Sequence, residues 1–203
     1  MGCHCTNNNK ENYVDIEHLI QTPSNLNPNS CLCLSEYTRT MFKLINKVRK
    51  NPNDFAFLIE SAVKYITTEN DRLIFSYKLK VALHKGKEMF LAVADELRKM
   101  TPLTPLEFKD DIVIEVPTEE DEIKDVKVFQ NKVLEKKKNV NINAYFKDAV
   151  GDPEVAILIM LVDDTQKNPG KKRETILNKD YKYIGISSVK ERKTFCAYYT
   201  FST

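Results

Sequence analysis

The segment KYIGISSVKERKTFCAYYTFS, residues 182–202, decides the fold. Two stretches rich in β-branched and aromatic residues, 182–189 and 194–202, flank the charged run Lys190–Lys193. That arrangement reads as an antiparallel hairpin. Upstream of it, Asp152 followed by Pro153 has the form of a helix N-cap and first helical residue. Val155–Val162 is an uninterrupted apolar run, read as a buried helix segment or a strand. Asn141–Phe146 alternates loosely and is expected as a strand. Residues 124–137 are predicted as a helix burying Val126, Phe129, Val133 and Leu134, after an acidic loop at Glu119–Glu122. Ile112–Val116 is β-branched and expected as a strand closed by Pro117.

The amino-terminal half is helical in pattern. Ser35 is placed to cap a helix over 36–50, in which Met41, Leu44, Ile45 and Val48 recur at i, i+3, i+4 and i+7. Asn51 and Pro52 end that helix and start another, with Phe55, Ile59, Ala62, Val63 and Ile66 on one face. Residues 67–82 are ambiguous. A third helix is predicted over 83–100, carrying Phe90, Val93, Ala94, Leu97 and Met100, before an extended connection at Pro102 and Pro105. Helices mixed with a terminal antiparallel hairpin imply an α+β layered domain over 35–203.

The chain is 203 residues long, with 42% apolar and 30% charged residues, as expected of a globular protein. Its formal charge of +2 gives no reason to expect nucleic acid. No run approaches the ~20 apolar residues of a spanning helix. Basic clusters at Lys43–Lys50, Lys136–Lys138 and Lys171–Arg173 read as solvated surface, or as a face for anionic lipid.

Residues 1–34 read as an irregular leader, rich in asparagine and containing Pro23 and Pro28. The opening MGCHCT fits the N-myristoylation pattern, with Gly2 as acceptor and Thr6 closing it. One acyl chain gives only marginal membrane binding, and Cys3 and Cys5 stand where palmitate would add the second. A competing reading makes Cys3, His4, Cys5, Cys31 and Cys33 metal ligands, but C-x-C is tighter than the usual spacing of structural zinc sites. No cofactor is expected. With no signal peptide pattern, the expected location is cytoplasmic and reducing, at a membrane or in a cilium or axoneme.

Three ordered segments carry a resemblance. They are FKLINKVRKNPNDF (42–55), the stretch from Gly86 to TPLTPL (101–106), and residues 139–201 with Asn141-Ile142, LVDD (161–164), RETILN (173–178) and Tyr183–Gly185. Together they resemble the CAP superfamily (cysteine-rich secretory, antigen 5 and pathogenesis-related proteins), in particular its divergent protist branch. The resemblance implies an α-β-α sandwich. It also implies a cleft of two histidines and two acidic residues able to hold a divalent metal; some relatives are intracellular and N-myristoylated.

The cleft positions depart from that pattern. Val140 stands where the resemblance puts an acidic ligand, and Lys171 or Lys172 where it puts a histidine. The middle stretch Glu119–Lys124, where another histidine belongs, has none. Valine cannot coordinate, and an ammonium occupies the place of the cation. Elsewhere, His84 reads as a surface residue, Cys196 as a buried small hydrophobe, and Asp163-Asp164 as a cap and loop former. The expectation is a domain without catalysis or metal that binds protein partners from a lipid-anchored position or within a cytoskeletal or ciliary assembly. The alternative is a lipid- or sterol-binding groove.

Overall fold

The computed structural model describes residues 35–203. The readings placed on Gly2, Cys3, His4, Cys5, Cys31 and Cys33 lie outside the described residues.

Helix α1 (Glu36–Lys50) begins where Ser35 Oγ accepts a hydrogen bond from the Thr38 N–H at 3.1 Å. Its predicted stripe is the buried one: Met41, Leu44, Ile45 and Val48 are each no more than 1% exposed. Asn51 ends α1 and precedes α2 (Pro52–Ala62), but its side chain makes no capping bond there. The second helix is shorter than its apolar pattern predicts. It passes into a 3₁₀ turn at Val63–Tyr65, and Ile66 starts a strand.

The ambiguous region is an antiparallel meander of β1 (Ile66–Glu69), β2 (Arg72–Ser76) and β3 (Lys80–Leu83). Asn70 and Asp71, at φ of 48° and 59°, make the two-residue turn between β1 and β2. Such turns need positive φ at both positions and match the twist of the strands. Because β3 takes Leu83, helix α3 (Lys87–Lys99) starts four residues later than predicted.

After the extended strap 101–106 comes a main sheet of four strands: β4 (Glu107–Phe108), β5 (Ala144–Asp148), β6 (Tyr183–Glu191) and β7 (Thr194–Ser202). Their order is β4-β6-β7-β5, with β4 parallel to β6 and the other pairs antiparallel. The hairpin runs in register from Tyr183↔Ser202 to Glu191↔Thr194. Its turn is therefore Arg192-Lys193, two residues tighter than Lys190–Lys193.

Ile112–Val116 is not a strand. A 3₁₀ turn at Asp110–Ile112 leads it across the face of the sheet, where Thr200 Oγ1 donates to the Ile112 carbonyl at 2.6 Å and Ser187 to that of Ile114. Gly185 permits the crossing: a Cβ there would lie 2.9 Å from the Val113 nitrogen. The acidic stretch is also not a loop. It forms a short helix, α4 (Glu120–Lys124), with its carboxylates in the first turn, where they favour the helix dipole, and with Ile123 buried.

In helix α5 (Val126–Lys136), Phe129 and Val133 are buried as predicted, but Val126 and Leu134 are 54% and 57% exposed. The sheet accepts a narrower stripe than the sequence offers. Helix α6 (Pro153–Val162) resolves the apolar run, with the Asp152 carboxylate accepting from the N–H groups of Glu154 and Val155 at 3.0 Å. Helix α7 (Lys171–Ile176) follows.

Alternate residues of β7 divide the core. Ala197, Tyr199 and Phe201 pack with α1, α2, α3 and α6; Cys196 and Tyr198 pack with Ile112, Ile114, Ile123, Phe129 and Val133. Helices thus cover both faces of the sheet.

Candidate functional site

The motif residues behind the resemblance turn out to join elements to one another. Asn46 exchanges two hydrogen bonds with the backbone of Leu106, at 2.9 and 2.7 Å. One turn later the fully buried Arg49 donates to the carbonyls of Thr104, Ile176, Asn178 and Tyr181. Burial lowers its pKa to about 10, which leaves it charged at neutral pH. All three segments of the resemblance therefore meet at one guanidinium.

The Asp163-Asp164 pair works similarly. Asp164 accepts from the N–H groups of His84, Lys85 and Gly86 at 2.7–3.0 Å, ordering the loop before α3. Asp163, in the left-handed region at φ 43°, ends α6, and its carboxylate accepts from the Lys172 N–H at 2.8 Å. Both act as the cap and loop formers expected of them.

Strand β5 is the centre of the candidate site. Among the described residues only β7 pairs with it, so its far edge is open. Two grooves lie beside that strand. One, of about 360 Å³, lies between Asn143–Phe146 and Lys171, Lys172, Glu174 and Thr175 of α7. The other, of about 550 Å³, lies between Tyr145–Ala149 and Val126, Phe129 and Gln130 of α5. Tyr145, Phe146 and Lys172 line both.

Lys172 Nζ donates to Asp148 Oδ2 at 2.6 Å and lies 5.8 Å from the Phe146 ring centre. Lys171 points further out, 3.5 Å from Glu174. Of the three cleft positions singled out by sequence, the structure brings Lys171 and Lys172 together here. Val140 lines neither groove: it packs at the edge of the cluster holding Ile142 and Phe129. Asp148, Tyr145, Phe146 and Lys147 were not singled out. An aromatic pair beside a Lys-Asp pair carries no motif signal.

On the α5 side, the Tyr145 ring meets Phe129 edge-on at 5.5 Å, and Lys137 Nζ lies 5.3 Å from its centre. Lys147 donates to the Ile123 carbonyl. Neither Lys137 nor Lys147 makes an ion pair among the described residues. The groove therefore combines unpaired backbone, an apolar shelf and excess positive charge.

Other candidate groups lie outside the two grooves. Cys196 is fully buried, and burial pushes its thiol up to about 11, so it stays protonated at neutral pH. Tyr37 donates to the Val150 carbonyl at 3.1 Å and shares a 2.9 Å bond with Tyr199; burial raises both phenols. His84 is exposed. Among the described residues, no helix is long and apolar enough to cross a membrane, and no group of three or more His, Cys, Asp or Glu side chains is placed to hold a metal ion.

No protein-family model, curated protein or solved structure matches this chain.

Proposed function

We propose that this chain is a non-enzymatic interaction module built on a degenerate CAP-type domain, tethered to a membrane by acylation at Gly2 and at Cys3 or Cys5. The observation that carries it is the Lys172–Asp148 pair. It fixes an ammonium at Lys172, one of the two positions where the resemblance puts a metal-binding histidine, while Val140, where it puts an acidic ligand, lies outside the grooves. The convergence of the three resembling segments on Asn46 and Arg49 supports the fold assignment, because those motif residues act together as a staple. A place in a cytoskeletal or ciliary assembly is a form of the same role.

A lipid- or sterol-binding domain needs an apolar pocket. The grooves beside β5 place Lys171, Lys172, Glu174 and Asp148 among the aromatic side chains, which favours the first reading.

The test is intact-mass analysis of the protein from its native cell, joined to membrane fractionation of wild type and Gly2→Ala. The expected result is loss of Met1, the added mass of an acyl chain, and release of the variant into the soluble fraction. Retention of Met1 with unchanged fractionation defeats the tether.

A further inference from the structure

We propose that the open edge of β5 takes up an extended acidic segment of a partner protein as an added strand, a proposal that rests on the interaction-module reading and names the partner's chemistry. An edge strand presents a row of N–H and C=O groups that a second chain can pair with, and alternate side chains of that chain then enter pockets on either face. β5 presents Ala144–Asp148 in this way, with a groove on each face.

The two faces set what the side chains of the added strand must be. Toward α5 they meet Val126, 54% exposed, beside Phe129, with Lys137 and Lys147 close by and neither held in an ion pair among the described residues. Toward α7 they meet Lys172, with Lys171 in looser contact with Glu174 beyond it. The groove linings thus carry three lysines, Lys147, Lys171 and Lys172, against two carboxylates, Asp148 and Glu174, and Lys137 lies over the Tyr145 ring beside them. A segment mixing acidic and small apolar residues complements both the charge and the shelf. Lysine on an edge strand also deters indiscriminate pairing, and it does so least against an acidic strand. A flat anionic lipid surface would meet the outer lysines but not the backbone at the floor of the groove.

The probe is a fluorescein-labelled peptide of eight residues alternating Glu and Val, titrated into the full chain and followed by anisotropy. Two control peptides accompany it: alternating Lys and Val, and the Glu-Val sequence methylated on every backbone nitrogen. Hydrogen exchange at Ala144–Asp148 reports where the probe sits. The expected result is saturable binding of the Glu-Val peptide with slowed exchange at β5. Affinity should fall at least ~10-fold in the Lys137→Glu, Lys147→Glu double variant, and neither control should bind.

Equal binding of the methylated peptide would mean attraction by charge alone and would overturn strand addition. So would undiminished binding to the double variant. If the amides of Ala144–Asp148 in the free full chain are already as protected as those of β7 and the probe changes nothing, residues 1–34 or a second copy cover the edge, and the proposal fails. Binding of phosphatidylserine vesicles without binding of the peptide would make this a membrane face instead. The tether test reads the first six residues and the peptide test reads β5 and its flanks, so either can fail without the other.

Discussion

Lys172 Nζ lies 2.6 Å from Asp148 Oδ2, joining the first turn of α7 to the last residue of β5. The carboxylate is 3% exposed and its lysine 24%, so the pair is shielded from water on one side more than the other. Its second oxygen accepts from the Val150 N–H at 2.8 Å, which leaves Lys172 as the charge partner. Lys172→Met removes the ammonium and strands a buried carboxylate. The expected loss is about 2–3 kcal/mol, below the value for a wholly buried pair because Lys172 keeps some contact with water. Asp148→Asn should cost less, and the double variant should recover part of the loss, with a coupling of about 1–3 kcal/mol. Urea unfolding of the four proteins measures this, and strict additivity would show that the pair contributes nothing.

Asp164 is expected to matter more to local order than its position in a loop suggests. Its carboxylate takes three consecutive N–H groups, those of His84, Lys85 and Gly86, and so holds the turn that starts α3. Hydrogen bonds to a charged acceptor are each worth about 1.5–3 kcal/mol, and Asn keeps a single neutral oxygen for the task. Asp164→Asn should lower stability by about 2–3 kcal/mol, with the urea midpoint shifting and the slope unchanged. Amide exchange should accelerate first at residues 84–86. A variant with wild-type exchange there would show that the turn holds its shape through Gly86 alone, whose φ is 61°.

Local chemistry explains which parts of this fold could be read from sequence. Ser35 and the Asp152-Pro153 pair announce their helices because capping is decided within three residues. The hairpin is legible because both strands are β-rich over nine residues each. The meander escaped because its strands are four or five residues long and half exposed, although Asn70-Asp71 was a usable turn signal. Ile112–Val116 has the composition of a strand, but its path depends on Gly185 and Thr200, more than 70 residues away. The excess exposure of Val126 and Leu134 likewise depends on how much of α5 the sheet covers. The groove is the extreme case. Lys171 and Lys172 were picked out by resemblance, while the open edge, the aromatic floor and Asp148 come together only when α5, β5 and α7 assemble.

Cys196 gives the domain a specific response to alkali. Burial raises its pKa from 9.0 to about 11, so between those values the unfolded chain has lost a proton that the folded chain keeps. Fewer protons bound in the unfolded state means that stability falls as pH rises. The contribution is fully present below pH 9 and is lost by about pH 11, amounting to about 3 kcal/mol at most. The buried phenols of Tyr37, Tyr198 and Tyr199 are raised by burial too and steepen the same decline at higher pH. Cys196→Ala should therefore flatten the fall in unfolding free energy between pH 9 and 10, while costing little packing because the side chain is small. In the native wild type the thiol should react with a disulfide reagent at pH 8 only as fast as the chain opens, and at full speed in denaturant. Fast labelling of Cys196 itself in the folded protein, read by peptide mass mapping apart from Cys3, Cys5, Cys31 and Cys33, or an unchanged pH slope in Cys196→Ala, would place the sulfur in contact with water rather than against Phe129 and Tyr198.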